Sequence, residues 1–214
     1  WKKKALLVKQ IMLAKEKFYR LVLLKKIIFL SKITIIYLLT ITTSFANLQK
    51  NIINKLILTE TMSFDFQQKV EEKEEEGICF IKYPLLMKCK YKSAKGKVLI
   101  SNGKSIAIIK KKYKKIYHYP IKSTPLFIIL DKDKVLNLIK NTQPSKIGSN
   151  TIEFEFVDKK LNKLIILFNS KTLEFKGWKT VDAYSNNVSF VISNTKINNQ
   201  IVDSFFIIPK EEDL

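Results

Sequence analysis

The stretch VLISNGKSIAIIK, residues 98–110, decides the fold. Asn102-Gly103 stands between two apolar runs. An Asn-Gly pair in that setting is a strong hairpin signal, because both residues tolerate the positive φ that a tight reversal needs. Val98–Ser101 and Lys104–Lys111 are therefore expected to be paired antiparallel strands. Reading upstream, Gly77–Tyr83 and Met87–Lys92 flank Pro84-Leu85. Further upstream, Met62, Phe64 and Phe66 alternate with Ser63, Asp65 and Gln67, the period of two that marks a strand. Downstream come Lys115–Tyr119, an interruption, and then Thr151–Val157, Lys163–Asn169, Thr172–Asp182, Val188–Thr195 and Ser204–Pro209. Some ten short strands with no internal repeat predict a mainly β chain, an open antiparallel β-barrel or half-barrel.

The apolar face of such a sheet must be covered. Leu48, Ile52 and Leu56 recur at helical spacing, widened by Ile53 and Ile57, which predicts a helix over Asn47–Leu58. Thr124-Pro125 reads as a helix start with Thr as cap, leading into Leu126–Leu130 and then Asp133–Ile139. These short helices are the candidates for a lid, and a curved sheet beneath them encloses either a packed core or an apolar cavity. Glu71–Glu76 and Pro144–Asn150 read as loops, the first of them solvated.

Composition narrows the function classes. The chain has 214 residues, 46% of them hydrophobic, with only five Gly and five Pro. That bounds it to one domain or two small ones and excludes a disordered chain. Two Cys exclude a disulfide framework and a Cys-based zinc site. His118, the single His, lies between Tyr117 and Tyr119 and reads as structural. With no nucleophile elbow, phosphate loop or carboxylate-rich metal motif, the chain reads as a non-enzyme with no cofactor and no metal. The net charge of +20 comes from 39 Lys+Arg against 19 acids, yet Arg20 is the one Arg. Nucleic-acid readers favour Arg, whose planar fork bonds guanine and phosphate bidentately. Richness in Lys, Ile and Asn together points to compositional bias of the coding genome; the alternative is attraction for an acidic partner or anionic lipid headgroups.

Residues 1–46 differ from the rest, with ten Lys/Arg against Glu16 alone. Lys25 and Lys26 precede an apolar stretch, Ile27–Phe45, interrupted by Lys32. Its uncharged part, Ile33–Ile41, suits a signal-peptide core and is short for a span of ~20 residues. Ser44-Phe45-Ala46 offers small residues at the positions a signal peptidase reads. A secretory leader cleaved after Ala46 is expected, which leaves a domain over 47–214 of charge +11. A retained anchor is the alternative. The sequence begins with Trp and Met12 lies inside, so residues 1–11 are left out of fold reasoning.

Several short motifs, in order, resemble the LolA family of periplasmic outer-membrane lipoprotein carriers. Ser63-Phe64-Asp65-Phe66-Gln67-Gln68 is similar to the family's opening strand. Gly77-Ile78-Cys79-Phe80-Ile81-Lys82-Tyr83-Pro84 resembles its glycine-to-proline strand, and Lys88-Cys89-Lys90-Tyr91 falls where the next strand ends in an aromatic. Ile100-Ser101-Asn102-Gly103-Lys104, Thr124-Pro125-Leu126 with Leu130, Phe175–Asp182 and Ser204–Pro209 complete the series. The resemblance covers about Asn47 to Lys210. It implies a non-enzymatic, monomeric carrier of acylated lipoproteins that does not bind nucleic acid. It also implies two partners, an inner-membrane lipoprotein release complex and an outer-membrane acceptor.

The resemblance further implies residue roles. Tyr83 stands where the family has a lid-latching Arg, a departure that leaves one hydroxyl in place of five donors. The latch is then weaker, or Lys82 or Lys88 substitutes, or Tyr83 is a plain strand-end aromatic. Leu126, Phe127, Ile129 and Leu130 would be lid residues. Phe64, Phe66, Phe80, Phe175 and Trp178 would line the acyl-chain cavity, with ordinary core packing as the alternative for each. Leu85, Leu86 and Met87 would form an exposed tip for the release complex, or else turn inward. Cys79 and Cys89 sit on adjacent strands, bridged or free. Two rivals remain. One is a membrane-anchored envelope sensor or acceptor of the same fold, although an acceptor needs Cys after the leader, where Asn47 stands. The other is a basic surface-binding module for anionic lipid or nucleic acid.

Overall fold

The computed structural model describes residues 15, 19–20, 23–32, 47–92, 95–157, 163–182 and 185–214. The chain divides into two compact units, Trp1–Leu48 and Gln49–Leu214. In the first, residues 23–32 are helical and every described side chain there is exposed. Ile33–Ala46, on which the leader and its cleavage turn, lie outside the described residues. No helix among the described residues is long and apolar enough to cross a membrane.

Helix α1 runs over residues 47–57. The strands β1 (Thr61–Val70), β2 (Lys73–Lys82), β3 (Leu86–Tyr91), β4 (Lys97–Asn102), β5 (Ser105–Lys110) and β6 (Lys115–Pro120) follow as a meander. The helices α2 (Leu126–Leu130) and α3 (Lys132–Asn141) come next, then β7 (Lys146–Ile147), β8 (Thr151–Val157), β9 (Lys163–Asn169), β10 (Phe175–Val181) and β11 (Asn187–Ile197). All eleven form one antiparallel sheet ordered β6-β5-β4-β3-β2-β1-β11-β10-β9-β8-β7. The chain thus starts at the centre and steps out to the β6 edge. It crosses through α2 and α3 to the β7 edge and steps back until β11 pairs with β1. The sheet does not close, as the half-barrel expectation required.

The deciding hairpin forms as read: Asn102 Oδ1 accepts from the backbone N–H of Lys104 and Ser105, at 3.0 and 2.9 Å, which holds the reversal. Residues directly opposed on neighbouring strands share a face. The row Phe64, Cys79, Cys89, Leu99, Ile108 and Tyr117 therefore defines an inner face. The row Phe80, Lys88, Ile100, Ala107 and His118 defines an outer one. The helices bury Ile52, Leu56, Ile129, Leu130, Val135 and Ile139. The outer face of β2–β6 is taken by the C-terminal segment described below, so the helices cover the inner face. All the buried apolar residues among those described lie in Gln49–Leu214, which therefore carries its own core.

Four expectations need correction. Glu71–Glu76 is mostly strand: only residues 71–72 turn, and β2 begins at Lys73. Opposite charges around β2 make this possible, since Glu74 reaches Lys69 on β1 at 3.5 Å, Glu75 reaches across to Lys97 at the start of β4 at 2.6 Å and Glu76 reaches Lys92, just past β3, at 3.4 Å. Ser204–Pro209 is not a strand. Asp203–Phe206 is a 3-10 turn, and Phe205 and Phe206 lie edge-on to each other rather than on opposite faces. Ion pairing of Lys82 with Asp203 at 2.6 Å anchors it. Ile208 and Leu214 then pack on Val98, Ile100 and Ile109, apolar outer-face positions that would otherwise meet water. Thr124 does not cap α2: its hydroxyl donates back to the Ile121 carbonyl at 2.9 Å, and the helix begins without a side-chain cap. Pro144–Asn150 contains the two-residue strand β7.

Candidate functional site

The inner face is floored by aromatic rings. Phe66 stacks on Phe190 with centroids 4.8 Å apart, Phe190 on Trp178 at 4.1 Å and Trp178 on Phe175 at 6.1 Å. Phe64 meets Phe190 edge-on. The β1, β10 and β11 registers bring these rings into one row, and the bulge between Phe175 and Gly177 lets both Phe175 and Trp178 turn inward. Phe64, Phe66, Phe175 and Trp178 are all at most 8% exposed and pack within this row of rings. Phe80 is the exception among the expected wall residues. It lies on the outer face, 5.0 Å from Phe205, because Cys79 and Ile81 take the inward positions on either side of it. Phe190 was not singled out from sequence; its alternation with Val188 and Ile192 on β11 was the available signal.

The floor ends at the β1–β2 turn in a polar group. Tyr91 donates from its hydroxyl to Gln68 Oε1 at 2.7 Å, and the Lys97 ammonium sits 3.8 Å from the Tyr91 ring centroid while pairing with Glu75. Burial, and secondarily the Glu75 charge, push the Tyr91 phenol well above the usual tyrosine range.

Two side chains clasp α1 and α3 reciprocally. Gln49, near the start of α1, donates from Nε2 to the carbonyls of Ile139 and Thr142 at the end of α3, at 2.9 and 2.7 Å. Lys132, the first residue of α3, donates to the carbonyls of Ile57 and Thr59 at the end of α1, at 3.2 and 3.1 Å. The last carbonyls of a helix have no partner within it, and a cation there also meets the negative end of the helix dipole. Each helix thus satisfies the open end of the other. Neither residue was identified from sequence, since both read as ordinary polar positions.

The lid meets the sheet at the tip of the β2–β3 hairpin. Leu85, at φ 67° after a cis Tyr83-Pro84 bond, donates its N–H to the Leu130 carbonyl at 2.9 Å, and its own carbonyl accepts from the buried Ser101 hydroxyl at 2.6 Å. This contact is therefore made by backbone groups. The Tyr83 hydroxyl has no hydrogen-bond partner among the described residues; burial raises its pKa, and the Lys132 ammonium lies 5.7 Å from its ring centroid. Lys82 and Lys88 do not substitute. They reach the carbonyls of Ile201 and Phe205 on the outer face. Of the tip residues, Met87 is 1% exposed and turns inward beside Ile81, while Leu85 and Leu86 are half-buried. Ile129 and Leu130 are buried in the lid, and Leu126 and Phe127 are half-buried. Cys79 and Cys89 are directly opposed and joined in a disulfide buried in the inner face.

A family model described as outer membrane lipoprotein carrier protein LolA matches residues 58–209, a span that holds all eleven strands together with α2 and α3. No curated protein matches the sequence. Among solved structures, an uncharacterized conserved protein from Thermus thermophilus is 9% identical with a TM-score of 0.47, covering 77% of this chain and 94% of its own. A LolA superfamily protein from Nitrosomonas europaea is 6% identical with a TM-score of 0.42, covering 77% and 97%. The MucA/MucB complex of Pseudomonas aeruginosa gives 5% identity and a TM-score of 0.44, covering 78% and 62%.

Proposed function

We propose that this chain, which belongs to the LolA family of outer membrane lipoprotein carriers, shields lipoprotein acyl chains against its inner face and carries them across the periplasm. The observation that carries the reading is an apolar, aromatic-floored sheet face under helices held by few polar ties. Each CH₂ taken out of water is worth about 0.8 kcal/mol, so an acyl chain cannot cross an aqueous compartment bare. The rings of Phe64, Phe66 and Trp178 supply the surface that replaces water. Because they are packed when the lid is shut, loading requires Ile129, Leu130 and Ile139 to withdraw. Release requires that closing the lid restores the stacked floor. Both demand ties worth only a few kcal/mol, which the Gln49 and Lys132 clasps and the Leu85 latch satisfy. The reading includes export through a leader ending at Ala46, a monomeric non-enzymatic state, and an inner-membrane release complex and an outer-membrane acceptor as partners.

Native mass spectrometry of residues 47–214 with a triacylated lipoprotein, at low and high salt, tests it. A one-to-one complex that survives high salt and is lost on deacylation is the expected result. No complex, or one that depends only on the charge of the lipoprotein, overturns it.

A further inference from the structure

Residues 110–122 hold Lys110, Lys111, Lys112, Lys114, Lys115 and Lys122 with no carboxylate among them. They form the end of β5, the 3-10 turn Lys111–Tyr113 and the edge strand β6. Tyr113, Tyr117 and Tyr119 stand there 52%, 45% and 46% exposed. The Lys110 ammonium lies 5.1 Å from the Tyr117 ring centroid, so cation and ring share one surface. An acid does meet this edge: the Glu211 carboxylate takes Lys115 at 3.3 Å and the Ile116 N–H at 2.8 Å. Beside it opens a cleft of about 830 Å³ with Ile108 and Tyr117 among its lining and Lys73, Lys95, Lys97 and Lys110 around it. Glu75, one of its two acids, is already paired with Lys97.

Lysines alone would be accounted for as guards that keep an edge strand from pairing with another sheet. Three exposed tyrosines serve no such purpose, since aromatic side chains favour strand pairing. Lys and Tyr together match a different surface. Compact ammonium charges suit a diffuse field of anionic headgroups rather than a fixed bidentate geometry. Tyrosine rings settle at headgroup depth, with an apolar body and a wet hydroxyl.

We propose that the Lys/Tyr edge over residues 110–122 docks on the anionic headgroup surface of a phospholipid bilayer. Docking there sets the Ile108–Tyr117 cleft, at the rim of the inner face, against the lipid. The inference concerns phospholipid and the unloaded chain, so it stands or falls separately from lipoprotein carriage.

The test is co-flotation of residues 47–214, which carry the whole described core, with phosphatidylcholine vesicles with and without about one-third phosphatidylglycerol. Binding to the anionic vesicles only, lost at about 0.5 M salt, is expected. A lysine near an anionic surface contributes roughly fivefold in affinity, so Lys111→Glu, Lys112→Glu and Lys114→Glu together, which remove three such charges and add three opposite ones, should weaken binding by well over about a hundredfold. The same charge change on the other wing, at Lys146, Lys171 and Lys196, should cost far less. Replacing the first three lysines by Gln, and Tyr113 and Tyr117 by Ser, should each weaken binding with the circular dichroism spectrum unchanged. Equal loss from both triple variants reduces the effect to net charge and overturns the proposal, as does no loss at the edge. Tighter, edge-dependent binding of a single-stranded oligonucleotide than of anionic vesicles overturns it in favour of nucleic acid.

Discussion

Replacing Gln49 and Lys132 by Ala should open the lid without unfolding the sheet. The four hydrogen bonds involved tie only α1 to α3. Gln49 makes two part-buried bonds to helix-end carbonyls, worth about 1 kcal/mol each after exchange with water. The Lys132 bonds are more exposed, and with its charge against the α1 dipole they contribute about 0.5–1 kcal/mol. Together the loss is about 3 kcal/mol on the opening equilibrium, close to a hundredfold in the open fraction. Hydrogen exchange resolves this by residue. The amides of Val135 and Ile139 should exchange about a hundredfold faster in the double variant, and those of Phe66 and Ile81 should change much less. Equal acceleration in α3 and β2 would refute a separately opening lid. No acceleration anywhere would show that the clasp contributes nothing.

Phe190→Ala should destabilise the chain by about 3–5 kcal/mol in urea unfolding, because the Phe190 ring contacts Phe64, Phe66 and Trp178 at once. Gly77→Ala should also destabilise: a Cβ there would collide with the Lys90 carbonyl oxygen and the Phe66 ring, with a fall in Tm as the readout. Replacing Cys79 and Cys89 by Ser should cost about 2–3 kcal/mol, the value for closing a short loop, seen as a lower urea midpoint. Tyr83 and Tyr91 have phenol pKa values raised by burial above the unfolded value of about 10. The native state therefore binds more protons above that pH. The stability they contribute is full below pH ~10 and is lost as pH rises toward their folded values. A 295 nm titration should show two tyrosines ionising only with alkaline unfolding; their titration with the exposed ones would contradict the burial.

Local chemistry settled much of the fold. Asn102-Gly103 reverses the chain by itself, and the alternation of Phe64 and Phe66 puts both on one face whatever the strand pairs with. The helix over residues 47–57 follows from the spacing of Ile52 and Leu56 in the same way. Where charge pattern was read without partners, it misled. Glu74–Glu76 reads as solvated until the fold brings Lys69, Lys97 and Lys92 within ion-pair distance. Ser204–Pro209 reads as a strand by its apolar content, but what it covers decides its form, and that is the outer face of β3–β5.

The candidate site divides along the same line. The sequence determined that Phe64 and Phe66 share a face, because alternation is a local property of extended backbone, whereas Phe175 and Trp178, three residues apart, face inward together only through the bulge between Phe175 and Gly177. It also determined the Lys/Tyr run of residues 110–122 and the two cysteines. Only tertiary structure decided that Phe80 faces outward, that Cys79 lies opposite Cys89, and that the Leu85 N–H meets the Leu130 carbonyl. Register between strands is set by a one-residue choice that flips every side chain, and the sequence of one strand does not contain it. The Gln49–Lys132 clasp lies further from sequence still. Its donors and acceptors are more than seventy residues apart, and they meet only because the sheet carries the chain from one edge to the other beneath the lid.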